Sequence, residues 1–105
     1  MTNSVIYLIK SKNNKILDTY IGSSKDFKTR KAVHRCFYYN NCYGQSNGRK
    51  LYDYMRQNGG WDEFEFKILE EINTLNRREL TNRERHWYDI IKPTLNTYKP
   101  KKYEN

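Results

Sequence analysis

Long apolar runs are missing from this chain. Nowhere do about 18 apolar residues follow one another, which argues against a membrane-spanning helix. The opening Met-Thr-Asn-Ser-Val-Ile-Tyr has no basic segment ahead of an apolar one, so no secretory leader is expected. The expected location is intracellular, with the compartment open. Cysteine is scarce: Cys36 and Cys42 are the only two, too few for a disulfide framework and suited to a reducing compartment. With His34 they can be drawn as a zinc site, but the spacing matches no standard pattern and a fourth ligand is lacking, so free thiols are expected. No Ser/His/Asp or Cys/His nucleophile signature is visible, nor any glycine-rich loop that would cradle phosphates. Apolar residues are only 36 %, yet ten tyrosines lift the aromatic share to 15 %, so burial remains available.

What is present is positive charge, unevenly placed. The 105 residues carry a net charge of +8 and are expected to form one domain, 1–105, with a modest core and residues 99–105 as a flexible tail. Residues 1–60 hold 11 Lys and Arg against 3 Asp and Glu, whereas residues 61–105 hold 9 of each. A chain with one basic part and one balanced part fits a polyanionic partner, nucleic acid foremost, better than a surface of scattered lysines.

Residues 4–10 and 16–22 alternate as two strands around the polar turn Ser11–Lys15. If that turn centres on Asn13-Asn14, Tyr7 faces Tyr20 directly across an antiparallel ribbon. From Lys25 to Tyr39 apolar residues recur at helical spacing, with Asp26 as N-cap. Asn40–Gly48 reads as a loop. Arg49–Asn58 reads as a second helix with Leu51, Tyr54 and Met55 buried, ended by Gly59-Gly60. Phe64, Phe66 and Ile68 alternate as a third strand with one buried face. A last helix runs from Arg77 to Ile91, stopping before Pro93. The expected fold is α/β in the α+β sense, a three-stranded antiparallel sheet flanked by helices.

Two helices carry polar groups where apolar ones belong. On the last, Leu80, Trp87, Tyr88 and Ile91 form a core stripe, and Glu84 lies inside it. A buried carboxylate requires a cation, a metal or several donors; the simpler alternative is an edge residue paired with Arg77 or Arg78. On the first helix Arg30 and His34, one turn apart, share a face with Phe27 and Phe37. Ordinary readings are a structural histidine and a surface cation. Together, however, tyrosine and histidine can move protons, arginine can neutralise a developing phosphorane charge, and glutamate can hold a hard cation. These are the parts of a metal-dependent phosphodiesterase.

In order along nearly the whole chain, these residues resemble the GIY-YIG nuclease superfamily. Val5-Ile6-Tyr7 and Tyr20-Ile21-Gly22 are similar to its two namesake segments, and Gly22 to Arg30 to the stretch leading to its arginine. His34 is similar to a further basic position. Arg83-Glu84-Arg85-His86-Trp87-Tyr88 is similar to its metal-binding Glu motif, and Asn96 to its late asparagine. Val5 departs from the family's glycine at a position that supplies backbone rather than chemistry.

The resemblance implies a DNA endonuclease in which Glu84 binds one Mg²⁺ or Mn²⁺. Tyr7 would be the general base on the attacking water, aided by His34 or Tyr20. Arg30 would stabilise the transition state, Tyr20 would contact the scissile phosphate or a metal-bound water, and Asn96 would order the pocket. A phenol with a reference pKa of about 10 must be depressed by cations, or must pass its proton on as it accepts another; Arg30, the metal and His34 favour the first route. The resemblance points to a stand-alone catalytic domain of homing-endonuclease or virus-like type, and fits equally a catalytic domain cut from a longer protein, with specificity from the Asn40–Gly48 loop, from a partner, or weak. A monomer is expected. The rival reading is a DNA-binding module that kept the fold and lost turnover. An RNA-binding domain ranks below both, because its paired aromatic motifs are absent.

Overall fold

The computed structural model describes residues 4–40, 48–74 and 76–103. The elements follow as β1 (Ser4–Ser11), β2 (Thr19–Ser24), α1 (Phe27–Asn40), α2 (Arg49–Gln57), a 3-10 turn (Trp61–Glu63), β3 (Phe64–Ile72) and α3 (Arg77–Ile91). The sheet is three-stranded and antiparallel, as expected, and its strand order β2-β1-β3 makes β1 central.

Alternation along β1 divides the molecule. Val5, Tyr7 and Ile9 point into one core with Leu51, Tyr52, Met55, Phe64 and Leu95, against which α1 also lays Phe27 and Phe37. Ile6 and Leu8 point the other way, to Ile21, Ile72 and, from α3, Leu80, Trp87 and Ile91. A strand buried on both faces explains the continuous apolar run Val5–Ile9. Within such packing, truncating fully buried Leu51 to Ala costs about 2–5 kcal/mol.

The hairpin register differs from the expectation by two residues. Tyr7 pairs with Gly22, and Tyr20 pairs with Ile9. The turn is therefore longer than an Asn-Asn hairpin, and β2 starts at Thr19. Gly22 explains the choice: a Cβ there would lie 2.4 Å from Tyr7 Cζ and Oη, so only a residue without a side chain fits opposite that ring. Because the shift is an even number, Tyr20 stays on the same face as Tyr7, with ring centroids 6.4 Å apart.

A bulge breaks β3. Tyr7 pairs with Ile68 but Ile6 with Glu70, leaving Leu69 as the extra residue. The expected single buried face of β3 therefore ends at Phe66: Ile68 is 47 % exposed, and Ile72 joins the opposite core. On α2 the third buried residue is Tyr52 rather than Tyr54, whose hydroxyl donates instead to Asp18 at 2.6 Å. Asp26 caps α1 as expected, its carboxylate accepting from the Thr29 amide and hydroxyl. Asn76 does the same for α3, accepting from the amides of Arg78 and Glu79.

Most of the expected Asn40–Gly48 loop, residues 41–47, lies outside the described residues, as does Cys42; Cys36 is an exposed free thiol. The segment expected to be a flexible tail runs back along α3 as far as Tyr103. The Tyr103 amide donates to Asn82 Oδ1 and its carbonyl accepts from Asn82 Nδ2. Among the described residues no helix is long and apolar enough to cross a membrane.

Candidate active site

His34 is the centre of the arrangement. The Asp26 cap starts α1 so that Arg30 and His34 stack one turn apart, and His34 turns inward to only 6 % exposure. Its ring is hemmed by Tyr7, Tyr20, Tyr52 and Phe66, with centroids 5.7–5.9 Å away. Both nitrogens are used: Nε2 lies 2.7 Å from the Tyr7 hydroxyl and Nδ1 lies 2.7 Å from the Tyr52 hydroxyl. One nitrogen of a neutral imidazole donates and the other accepts, so the three side chains form a wire that can be polarised in either direction. Burial first, and then the Arg30 charge, pull the His34 pKa down to about 4, so the ring is neutral at pH 7.

Tyr7 departs from its expected position and acidity. It is fully buried beneath Phe27, Phe66 and Tyr20 and does not reach the surface. Burial, reinforced by Tyr20, raises its pKa, and the opposing Arg30 charge does not compensate. In the protein alone, burial therefore outweighs the lowering by Arg30. The partly buried Tyr20 stands at the wall instead, lining a recess of ≈ 150 Å³ with Glu84, Asn96 and Tyr98. Burial and then the Glu84 charge raise the Tyr20 pKa as well, while Arg30 and a hydrogen bond with Tyr7 work against that rise.

Glu84 sits where its stripe puts it, between Leu80 and Trp87, but it is no edge residue paired with Arg77 or Arg78. Its carboxylate accepts from the Ser23 hydroxyl at the end of β2. Among the described residues no basic group lies within ion-pair distance of it. Burial raises its pKa, partly offset by Ser23 and Arg30. It borders a cleft of ≈ 390 Å³ that also contains Ser23, Lys25, Thr29, Arg30 and Arg77. Arg30, exposed, is therefore a cleft cation close enough to act on Tyr7, Tyr20, His34 and Glu84 alike.

Asn96 is consumed by structure. Its Oδ1 accepts from the Ile21 amide at 2.9 Å and its Nδ2 donates to the Ile21 carbonyl at 2.8 Å. With the Leu95 amide donating to Thr19, this closes the outer edge of β2 beside Tyr20. Thus all six expected residues converge, with Tyr7 deeper and Tyr20 nearer the surface than anticipated. Sequence reasoning missed Tyr52 and Ser23. Tyr52 was hidden because the α2 stripe admits either of two tyrosines; a lone serine after a strand glycine carries no signal of its own.

The donor set suits a hard cation in one respect. Glu84 offers carboxylate oxygen in a half-buried cleft, with its charge not neutralised by an ion pair. Among the described residues no three His, Cys, Asp or Glu groups cluster, so such an ion would have one protein carboxylate and complete its shell with water and phosphate oxygens. That is a common arrangement for Mg²⁺.

The model of the GIY-YIG catalytic domain matches residues 3–103. Among solved structures, the catalytic domain of homing endonuclease I-TevI is similar, with 30 % sequence identity and a TM-score of 0.72 over 90 % of this chain and 95 % of that one. No curated protein sequence matches significantly.

Proposed function

This chain belongs to the GIY-YIG catalytic domain family and is an endonuclease of that kind; from that premise we propose that it hydrolyses phosphodiester bonds of DNA with one Mg²⁺ or Mn²⁺ at Glu84. The observation that carries the mechanism is the 2.7 Å hydrogen bond between Tyr7 and His34, continuous with Tyr20 in the recess that it shares with Glu84.

The raised pKa values of both tyrosines make a free phenolate costly, so the base works by relay. Tyr20 receives a proton from the attacking water while its own proton moves to Tyr7 and that of Tyr7 to His34 Nε2; the water oxygen bonds to phosphorus as the bond to the leaving sugar oxygen breaks, and that oxygen takes a proton from solvent. His34 then carries the charge. With a pKa of about 4 this is uphill by about 4 kcal/mol at pH 7, which the negative charge of the bound phosphate offsets. Arg30, at the cleft wall, binds the non-bridging phosphate oxygens as charge accumulates on them. Ser23 orients the Glu84 carboxylate, and Asn96 holds the Ile21 backbone and with it the neighbouring Tyr20. When bound, the divalent ion supplies Lewis-acid neutralisation of the phosphate.

Lys25, Arg30 and Arg77 around the cleft supply the electrostatic attraction for the backbone. The test is cleavage of supercoiled plasmid with Mg²⁺, with Mn²⁺ and with chelator, alongside duplex affinity at several salt concentrations. Metal-dependent nicking or linearisation is expected, with a log–log salt slope of roughly −4 to −5 if about five phosphates are neutralised. Undiminished cleavage in chelator, or salt-independent binding, would overturn the reading.

A further inference from the structure

On a different face of α1 from Arg30 lies a second recess of ≈ 390 Å³, lined by Phe27, Lys28, Lys31, Ala32, Arg35 and Trp61. Its apolar part is Phe27, Ala32 and Trp61; the rest is three cations, with no carboxylate in the lining. Lys28, Lys31 and Arg35 follow i, i+3, i+7 spacing and share one side of the helix over about 10 Å. None of the three is in an ion pair among the described residues. Lys31 Nζ stands 5.3 Å from the Phe66 ring centroid, and the Arg35 guanidinium stands 5.4 Å from that of Tyr39.

The aromatic layer beneath is continuous with the active site. Trp61 packs on Phe66 at 5.4 Å, and both Phe66 and Phe27 pack on Tyr7, at 6.1 and 5.5 Å. One layer of rings therefore separates this recess from the proton wire.

Three cations alone would suit phosphates, and a fully stacked duplex would meet them without touching the rings. An apolar aromatic floor inside a cationic rim suits a flat π-surface that carries phosphates on either side. We propose that this recess receives one nucleobase extruded from the substrate strand, with its flanking phosphates on Lys28, Lys31 and Arg35. The enzyme therefore prefers DNA bearing an unpaired nucleotide near the scissile bond over a perfect duplex. This rests on the DNA-cleaving reading above and adds a substrate class to it.

Two duplexes identical except for one unpaired 2-aminopurine test the proposal, with binding measured by anisotropy without divalent metal and cleavage measured with it. The bulged duplex should bind about tenfold tighter, and the 2-aminopurine emission should fall as the base stacks. Trp61→Leu should remove the preference. Because Trp61 also packs on Phe66, Ala32→Leu on the exposed helix surface provides a second variant that fills the recess without disturbing the core. Either variant should still cleave the perfect duplex within several-fold. Equal wild-type affinity for the two duplexes, or a preference that survives both substitutions, overturns the proposal while leaving the nuclease reading intact. Absence of binding and cleavage on both duplexes would overturn the two together.

Discussion

Tyr7 and His34 share a 2.7 Å hydrogen bond in a place where the phenol has no solvent exposure. A buried phenol cannot itself touch a water in the cleft, so in the relay proposed above its part is to pass inward what Tyr20 receives.

That relay makes the two tyrosines separable. Tyr20→Phe should lower the single-turnover rate by about two to four orders of magnitude, with DNA affinity near wild type. Tyr7→Phe should lower it comparably and, by leaving a His34 nitrogen unpaired, should also cost about 1–3 kcal/mol in urea unfolding. A slow Tyr20→Phe beside a normal Tyr7→Phe would confine the base to Tyr20 alone.

Glu84→Gln keeps the acceptor for Ser23 and removes the charge. Cleavage should be abolished, DNA binding should stay within several-fold, and thermal stability in metal-free buffer should be unchanged or higher, because burial disfavours this carboxylate. Added Mg²⁺ should raise the Tm of the wild type and not that of the variant. A variant that still cuts DNA would return Glu84 to a structural role.

His34 predicts a pH dependence of stability. Its pKa is about 4 when folded against an ordinary value of 6.5, so between these values the unfolded chain binds the extra proton and stability rises with pH. The contribution is fully present above pH 6.5 and lost on acidification towards pH 4, amounting to about 3 kcal/mol. Glu84, raised above its ordinary value, acts in the opposite sense, so the measurement is cleanest in the Glu84→Gln background. There, His34→Gln should flatten the rise across that window; an unchanged slope would assign the pH dependence elsewhere.

Gly22→Ala tests the hairpin register. The new Cβ would stand 2.4 Å from the Tyr7 ring, which is buried and cannot swing away. A loss of about 1–3 kcal/mol in stability is expected, together with slower turnover as the Tyr7 hydroxyl moves off His34. Wild-type behaviour in both measurements would contradict the pairing of Gly22 with Tyr7.

Element order and the bounds of α3 were readable because their signals are local: an apolar stripe and a proline beyond the end. Glu84 stood out for the same reason, as a carboxylate inside an apolar period. Register was less accessible. Asn13-Asn14 is a local turn signal, but the strands align on a steric match between Gly22 and Tyr7 that lies outside the turn. The full burial of Tyr7 was hidden too, since it depends on Phe27 and Phe66 arriving from two other elements. Likewise nothing in the spacing of α2 distinguishes Tyr52, which meets His34, from Tyr54, which meets Asp18.

The clasp of Asn96 on Ile21 joins residues 75 positions apart, and Leu95 secures Thr19 beside it. During translation, therefore, Tyr7, Tyr20, Arg30 and His34 emerge from the ribosome long before the segment that braces them. Until residue 96 is free, β2 has an open edge and the wall bearing Tyr20 lacks its support. If this grouping is the cutting centre proposed above, the cell meets it only as a completed assembly. Ribosome-arrested chains ending before residue 94 should be inert on DNA, and those given a C-terminal linker long enough to carry residue 103 clear of the ribosome should be active.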